Sequence, residues 1–436
     1  MKIKDIIKAS KGSLIGNINI EENYNKIKID SRKIEKNDIF VAIKGKNIDG
    51  HKYIKDAIQK KAKLIITSKK IKENTPYILV KDTTLFLKDM ATYIINKINP
   101  TIIAITGSMG KTTTRDLIYK LLKNKYKVQT NKKNQNNHIG VPLTIFNLKK
   151  ETEILILEMG MNHPKEISYL SSMTHPDISV ITNIGSSHIG HLKSKENILK
   201  AKLEILDGMK EKILFVNGDD KYLKNIKINK LHKSGFNKDN NLIGYDINSN
   251  LYYSSFKIKY QNKEYKIKTN LPKHLLNNVI NSINIALYLN VNIKDIIKTL
   301  KTYKPFEDRM NIVKDKNNNI IINDCYNNSF ESLIGVLKVL QNEKQKKLLI
   351  LGDIKELGKL SKTIHLKIKP YLDKIENKEL ILVGKEISII KTNALYFDSY
   401  KEVIKHLKKL KIKDTLILIK ASHLLHFENI VNYFNI

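Results

Sequence analysis

The sequence predicts an α/β protein of three domains. These are a small mixed α/β unit at the N-terminus, a central mostly parallel sheet covered by helices around a phosphate loop, and an open α/β unit at the C-terminus. Three observations predict this. At 436 residues the chain exceeds what one hydrophobic core organises. Short apolar runs alternate with stretches of helical periodicity, as in parallel strands joined by crossover helices. The run Gly107-Ser108-Met109-Gly110-Lys111-Thr112-Thr113 lies between a β-rich segment and an amphipathic one, the setting a phosphate loop requires.

In chain order, the apolar runs at 38–43 and 63–67 predict strands, with a helix at 51–60 between them, and together they define a first domain over residues 1–85. The second, residues 86–304, opens on a strand at 101–106. A helix at 111–123 follows, with Leu117, Ile118, Leu121 and Leu122 at helical spacing. Further strands are expected at 154–157, 178–182 and 213–216. Residues 231–270 alternate Tyr, Ser, Lys and Asn, as in a meander or insertion, and a helix at 275–289 closes the unit. Residues 302–308, containing Pro305, form the expected hinge, extended as 303–309 to include Arg309. The third domain, residues 305–436, carries strands at 320–322, 347–351, 380–383 and 415–419.

Composition excludes several function classes. The net charge of +35 would suggest nucleic acid, yet only three residues are arginine, at positions 32, 115 and 309. Base-reading surfaces depend on the bidentate guanidinium, and the lysines are spread along the whole chain instead of being clustered. No nucleic-acid partner is therefore expected. No apolar run approaches the roughly 18 residues of a membrane span, so no membrane insertion is expected. The N-terminus lacks the apolar core of a signal peptide, and the single Cys325 permits no intrachain disulfide, which together predict a cytoplasmic protein.

In the phosphate loop, glycines let backbone N–H groups turn toward phosphate oxygens, and the helix start adds a favourable field. Lys111 would neutralise the β- and γ-phosphates and the Thr112 hydroxyl would ligate Mg²⁺. Ile105 stands where the general pattern has a glycine. Glu158 ends one strand and His188 follows another, so both reach the edge where open α/β sheets bind ligands. By composition alone Lys202 is one lysine among many.

Taken together these segments resemble the Mur ligases, the ATP-dependent amino-acid and peptide ligases of bacterial cell-wall synthesis. The resemblance spans nearly the whole chain. It is carried by Asp30-Ser31-Arg32 and Asp49-Gly50-His51, by the run from Asn136-Asn137-His138 to Leu143, and by Glu158-Met159-Gly160 with Thr182-Asn183-Ile184-Gly185. In the last third it is carried by Asn323-Asp324-Cys325-Tyr326-Asn327, Leu351-Gly352-Asp353 and Glu356-Leu357-Gly358. It implies an ATP- and Mg²⁺-dependent ligase that activates the terminal carboxylate of a UDP-N-acetylmuramoyl tripeptide as an acyl phosphate and joins it to D-alanyl-D-alanine. It further implies Lys111, Lys202 and His188 as catalytic groups. Thr112, Glu158, His188 and Lys202, the last at the position where several family members carry a carbamylated lysine, would be the metal ligands. Gly107 to Thr113, Asn278, Arg309, Asp324 and Asn327 would contact ATP, and Ser31, Arg32, Asn136, Asn137 and His138 the nucleotide-sugar substrate. A monomer acting on small molecules is expected.

The chain departs from the family pattern at His274-Leu275 in place of His-Asn, at Ser329-Phe330 in place of Asn-Pro, and at Lys420-Ala421-Ser422-His423 in place of Lys-Gly-Ser-Arg. Two alternatives stay open on sequence: a sibling ligase that adds a single amino acid, and a phosphate-loop nucleotide switch or nucleic-acid-binding protein.

Overall fold

The computed structural model describes residues 1–45, 47–132, 134–305 and 309–434. Three sheets follow one another along the chain. In the first, Leu64–Thr67, Ile39–Val41 and Ile27–Lys28 run parallel beside Tyr77–Leu79, with Ser13–Ile15 antiparallel at the edge. Asp82 caps the helix Thr83–Ile98, accepting from the amides of Thr84 at 2.6 Å and Leu85 at 3.1 Å. Sequence patterning did not mark this helix, which crosses the expected 85/86 boundary and packs on both the first helix, Ile3–Ser10, and the central helix Glu166–Thr174.

The central sheet has nine strands, in the order Lys263–Thr269, Ser254–Tyr260, Leu242–Ser249, Lys230–Gly235, Ile213–Asn217, Ile178–Ile181, Thr101–Thr106, Ile154–Glu158 and Val128–Thr130. From Leu242–Ser249 to Val128–Thr130 every pairing is parallel. Ile102 to Ile105 and Leu155 to Leu157 are almost fully buried, which explains why these strands read as continuous apolar runs. Of the two expectations for residues 231–270, the meander holds and the insertion does not: Leu242–Ser249, Ser254–Tyr260 and Lys263–Thr269 pair antiparallel in succession, and Lys230–Gly235 joins them to the parallel sheet.

The third sheet orders Asn311–Lys314, Ile320–Asn323, Leu416–Lys420, Lys347–Gly352, Lys378–Val383 and Leu395–Phe397, parallel except for the first strand. The expected hinge falls partly on residues 306–308, which lie outside the described residues. Among the described residues no helix is long and apolar enough to cross a membrane.

Chain order and sheet order together place the site. Thr101–Thr106, Ile154–Glu158 and Ile178–Ile181 are neighbours, so the segments after their C-terminal ends converge. Ile320–Asn323, Leu416–Lys420 and Lys347–Gly352 are likewise neighbours, and their ends bring Asp324 and Lys420 into the same cleft. Two sets of strand ends thus face one another across a domain junction, the position where α/β sheets take ligands.

Candidate active site

A cleft of about 710 Å³ occupies that junction. Its floor is the loop before the helix Lys111–Leu122. Gly107 has φ +150° and Gly110 has φ +76°, and a Cβ would meet Thr182 Oγ1 at 1.8 Å at the first and Asn278 Nδ2 at 2.2 Å at the second. Only glycine fits either position. Asn183 frames the loop: its carbonyl accepts from Ser108 N–H at 3.1 Å and its side-chain oxygen from Met109 N–H at 3.0 Å. Those two amides are thereby occupied. The free donors are the N–H groups at the helix start, Lys111 to Thr113, as an anion site requires. Lys111 Nζ donates to Gly107 O at 2.8 Å. Burial, aided by Arg309, lowers its pKa, and Glu158 and Glu356 only partly compensate.

Glu158 ends its strand fully enclosed, and its side chain and backbone are both held. Oε2 accepts from Thr112 Oγ1 at 2.9 Å and lies 3.4 Å from Arg115 Nη1, and Oε1 accepts from Asn136 Nδ2 at 3.0 Å. The buried Asn131 pairs with its backbone like a short strand, accepting from Glu158 N–H at 2.9 Å and donating to Glu158 O at 2.9 Å. Burial opposes ionisation, but Lys111, Arg115, Arg309 and Asn136 outweigh it and hold the carboxyl below its ordinary pKa.

His188 adopts φ +63° at the start of the short helix Ile189–Leu192. Its Nδ1 lies 2.6 Å from Glu356 Oε2 across the domain junction, although the ring N–H is not aligned for a hydrogen bond. Burial pushes its pKa down despite Glu356, and Lys111 and Lys202 add to that. Lys202 is 1 % exposed on the helix Lys195–Leu203. Burial, then the charge of Lys111, pushes its pKa far down, and no acidic group opposes the shift.

The opposite wall belongs to the C-terminal domain. The Arg309 guanidinium lies 4.2 Å from the centroid of the Tyr326 ring, and Tyr326 OH bonds Asn134 of the central domain. The buried Lys420 pairs with Asp324. His274, from the central domain, also lines the cleft, and burial lowers its pKa to about 4, with Asp324 opposing and Lys420 assisting. Its folded pKa is thus below the unfolded value of roughly 6.5. Between those values the unfolded chain binds a proton that the folded chain refuses, so stability falls as pH drops from 6.5 to about 4. The expected loss is about 3 kcal/mol over that window. Denaturant titrations of His274→Gln at successive pH values should show a visibly flatter slope there than the parent protein.

Of the residues expected from sequence, Ser108 to Thr113, Asn136, Asn137, His138, Glu158, His188, Arg309, Asp324 and Asn327 line the cleft. Gly107 supports the loop from beneath. Asn278 is buried behind the loop, where its amide donates to Thr114 Oγ1 at 2.9 Å and reaches Gly110 O at 3.4 Å. Ser31 and Arg32 lie in the N-terminal domain, away from the cleft walls. Ser31 is buried, and Arg32 is exposed and paired with Asp30 at 2.9 Å. Lys202 sits behind the lining. Sequence reading missed Asn131, Arg115 and Glu356 as site residues. Arg115 had a usable signal, one of three arginines, four residues after Lys111 and so on the same helix face. Among the described residues no three His, Cys, Asp or Glu side chains converge as a ready metal cluster.

Three family models cover most of the chain: the Mur ligase family catalytic domain over residues 23–101, the Mur ligase middle domain over 105–286 and the Mur ligase glutamate ligase domain over 308–423. A curated UDP-N-acetylmuramoyl-tripeptide--D-alanyl-D-alanine ligase of Bacillus subtilis is 32% identical over 98% of this chain and 97% of its own. A crystal structure of MurF from Acinetobacter baumannii superposes with a TM-score of 0.91 at 25% identity, covering 100% of this chain and 99% of that one. The MurF ligase of Thermotoga maritima in complex with ADP superposes at 0.85 with 27% identity, covering 94% and 96%. With its site geometry and these likenesses taken together, the chain belongs to the Mur ligase family.

Proposed function

We propose that this protein is an ATP-dependent ligase that joins D-alanyl-D-alanine to the terminal carboxylate of a UDP-N-acetylmuramoyl tripeptide. The observation that carries the reading is the convergence of the phosphate loop, Glu158 and His188 from three adjacent strand ends onto a cleft closed by a second domain. The full-length relatives named for this reaction support the choice of substrates. In this reading the tripeptide carboxylate attacks the γ-phosphorus, the bond from that phosphorus to the bridging oxygen breaks, and ADP departs. The amine of the dipeptide then adds to the acyl carbon, and phosphate leaves from the tetrahedral intermediate. Lys111 and the helix-start amides neutralise the charge on the transferring group. Arg309 and Asp324, with Asn327, border the nucleoside end, and domain closure keeps water from the acyl phosphate. Asn136, Asn137 and His138 face the muramoyl end. Ser31 and Arg32 take the nucleotide sugar, the exposed pair of Arg32 with Asp30 exchanging for a phosphate at small cost. The domain divisions 1–85, 86–304 and 305–436 are proposed with it, since each sheet falls within one of them.

The donor set suits magnesium. Thr112 Oγ1 and Glu158 Oε2 are hard oxygens 2.9 Å apart, and Glu158 stays anionic despite burial. Thr112, Glu158 and His188 would hold the ion together with Lys202, and when bound it supplies charge neutralisation at the phosphate oxygens. The environment of Lys202 favours a neutral amine, and that amine can add to CO₂ to give a carbamate with loss of one proton. The added group would turn a buried repulsion with Lys111 into an attraction.

Phosphate release from ATP should require both the UDP-linked tripeptide and D-alanyl-D-alanine. Release satisfied by a free amino acid would replace the reading with a sibling ligase. For Lys202, enzyme equilibrated with ¹³C-bicarbonate should show a carbamate resonance that Lys202→Ala lacks, and that variant should lose roughly 10–100-fold in turnover. An unchanged spectrum would remove the carbamate from the scheme.

A further inference from the structure

Glu331 stands in the first turn of the helix Phe330–Leu340, which Ser329 and Ser332 cap reciprocally. An acid suits that position through the helix dipole alone. Its carboxylate nevertheless leaves its own domain. Oε2 accepts from the Ser186 hydroxyl at 2.8 Å and Oε1 from Lys195 Nζ at 3.2 Å. The approach is close enough that a Cβ on Gly185 would lie 3.0 Å from Oε2.

Those two partners belong to segments with a common purpose. The Ser186 segment runs on to Ser187, whose hydroxyl donates to Ser108 O of the phosphate loop at 3.1 Å, and then to His188. Lys195 opens the helix that carries Lys202. Seven residues separate the two lysines, about two turns, so both project from one face of that helix. One carboxylate from the C-terminal domain thus grips both central-domain segments that present His188 and Lys202. A second contact lies alongside: Gly190 N–H donates to Glu356 O at 3.0 Å, and Gly190 and Gly358 approach so closely that a Cβ on Gly358 would meet Gly190 Cα at 2.9 Å.

We infer that Glu331 is a positioning residue: docking of the C-terminal domain uses its carboxylate to align the His188 loop and the Lys202 helix against the phosphate loop. The inference rests on the ligase reading above. A helix-start acid with no further role would alter melting temperature and leave catalysis alone. A positioning role predicts a catalytic loss as well.

In Glu331→Ala, kcat should fall roughly tenfold, with the KM for ATP unchanged and the melting temperature lowered only by the small amount a lost helix-start charge costs, far too little to account for the kcat loss. Glu331→Gln keeps an acceptor oxygen for Ser186 and should recover part of that loss. Adding Ser186→Ala to Glu331→Ala should cost little more, because the interaction is already gone. Fluorescent labels on the central and C-terminal domains should show a smaller closed fraction in Glu331→Ala with an ATP analogue, a readout independent of turnover. Wild-type kcat with wild-type closure in Glu331→Ala would overturn the inference. So would a kcat loss that tracks a lowered melting temperature. Absence of tripeptide- and dipeptide-dependent phosphate release in the parent protein would instead overturn the ligase reading, and the closure measurement would still judge Glu331.

Discussion

Lys111→Ala is expected to reduce tripeptide- and dipeptide-dependent phosphate release by roughly 10²–10³-fold or more, while leaving the fold intact. The lysine extends from the first residue of the phosphate-loop helix, and its ammonium rests on Gly107 O at 2.8 Å. That contact is weak competition for a polyphosphate, so the group is poised to swing onto transferring oxygens. Its folded environment disfavours its charge, through burial and Arg309. Removing it should therefore hold or slightly raise the melting temperature of the ligand-free protein, the reverse of what a structural lysine would show. Lys111→Arg should not rescue turnover, because a planar guanidinium does not reproduce the compact point charge that the turn at Gly107 accommodates. Turnover within twofold of the parent in Lys111→Ala would remove Lys111 from the chemistry, and the same result in Lys111→Arg would show that any cation at that position suffices.

That prediction was legible in the sequence because every part of it is local. The strand Thr101–Thr106, the two glycines and the helix start lie within twelve or so residues of one another, and periodicity and glycine placement report on such stretches directly. Glu158 and His188 could be placed at strand ends for the same reason. Their partners could not. Asn131 holds the Glu158 backbone across 27 positions, Asn183 frames the loop across 74, and Glu331 reaches Ser186 across 145. Nothing in a local pattern separates a buried asparagine of this kind from the many solvated ones in so asparagine-rich a chain. Residues 230–269 misled in a related way. Alternating polar strands suggested a meander or an insertion; the meander is there, but pairing through Lys230–Gly235 with Ile213–Asn217 makes it the edge of the central sheet and not a separate insertion. Burial on one face only gives alternation, and alternation does not reveal which sheet a strand joins. The lysine excess had the opposite effect. It hid nothing at the site, where two of the three arginines, 115 and 309, stand close enough to bias Glu158.

Glu158→Gln should be the most damaging isosteric change in the protein, because it removes an anion that three cations share. Glutamine keeps an oxygen for the Thr112 hydroxyl, so the shape of the site survives, but Lys111, Arg115 and Arg309 lose their common counter-charge. Arg115 is 3 % exposed and loses one of its partners. Breaking a buried pair from one side costs about 3–5 kcal/mol, enough to lower the melting temperature by several degrees. Turnover should fall at least as far as in Lys111→Ala, and raised magnesium should not restore it. The acid limb of stability offers a second check. The folded pKa of Glu158 lies below its unfolded value of roughly 4.5, so its contribution is full above that value and is lost as pH falls through the folded pKa. The His274 contribution is lost earlier, between pH 6.5 and about 4. Glu158→Gln should therefore abolish only the lower part of the acid transition and His274→Gln only the upper part. A Glu158→Gln protein with parental stability and an unchanged lower limb would mean that the three cations are neutralised by something other than this carboxylate, and the proposed magnesium site would lose its principal anion.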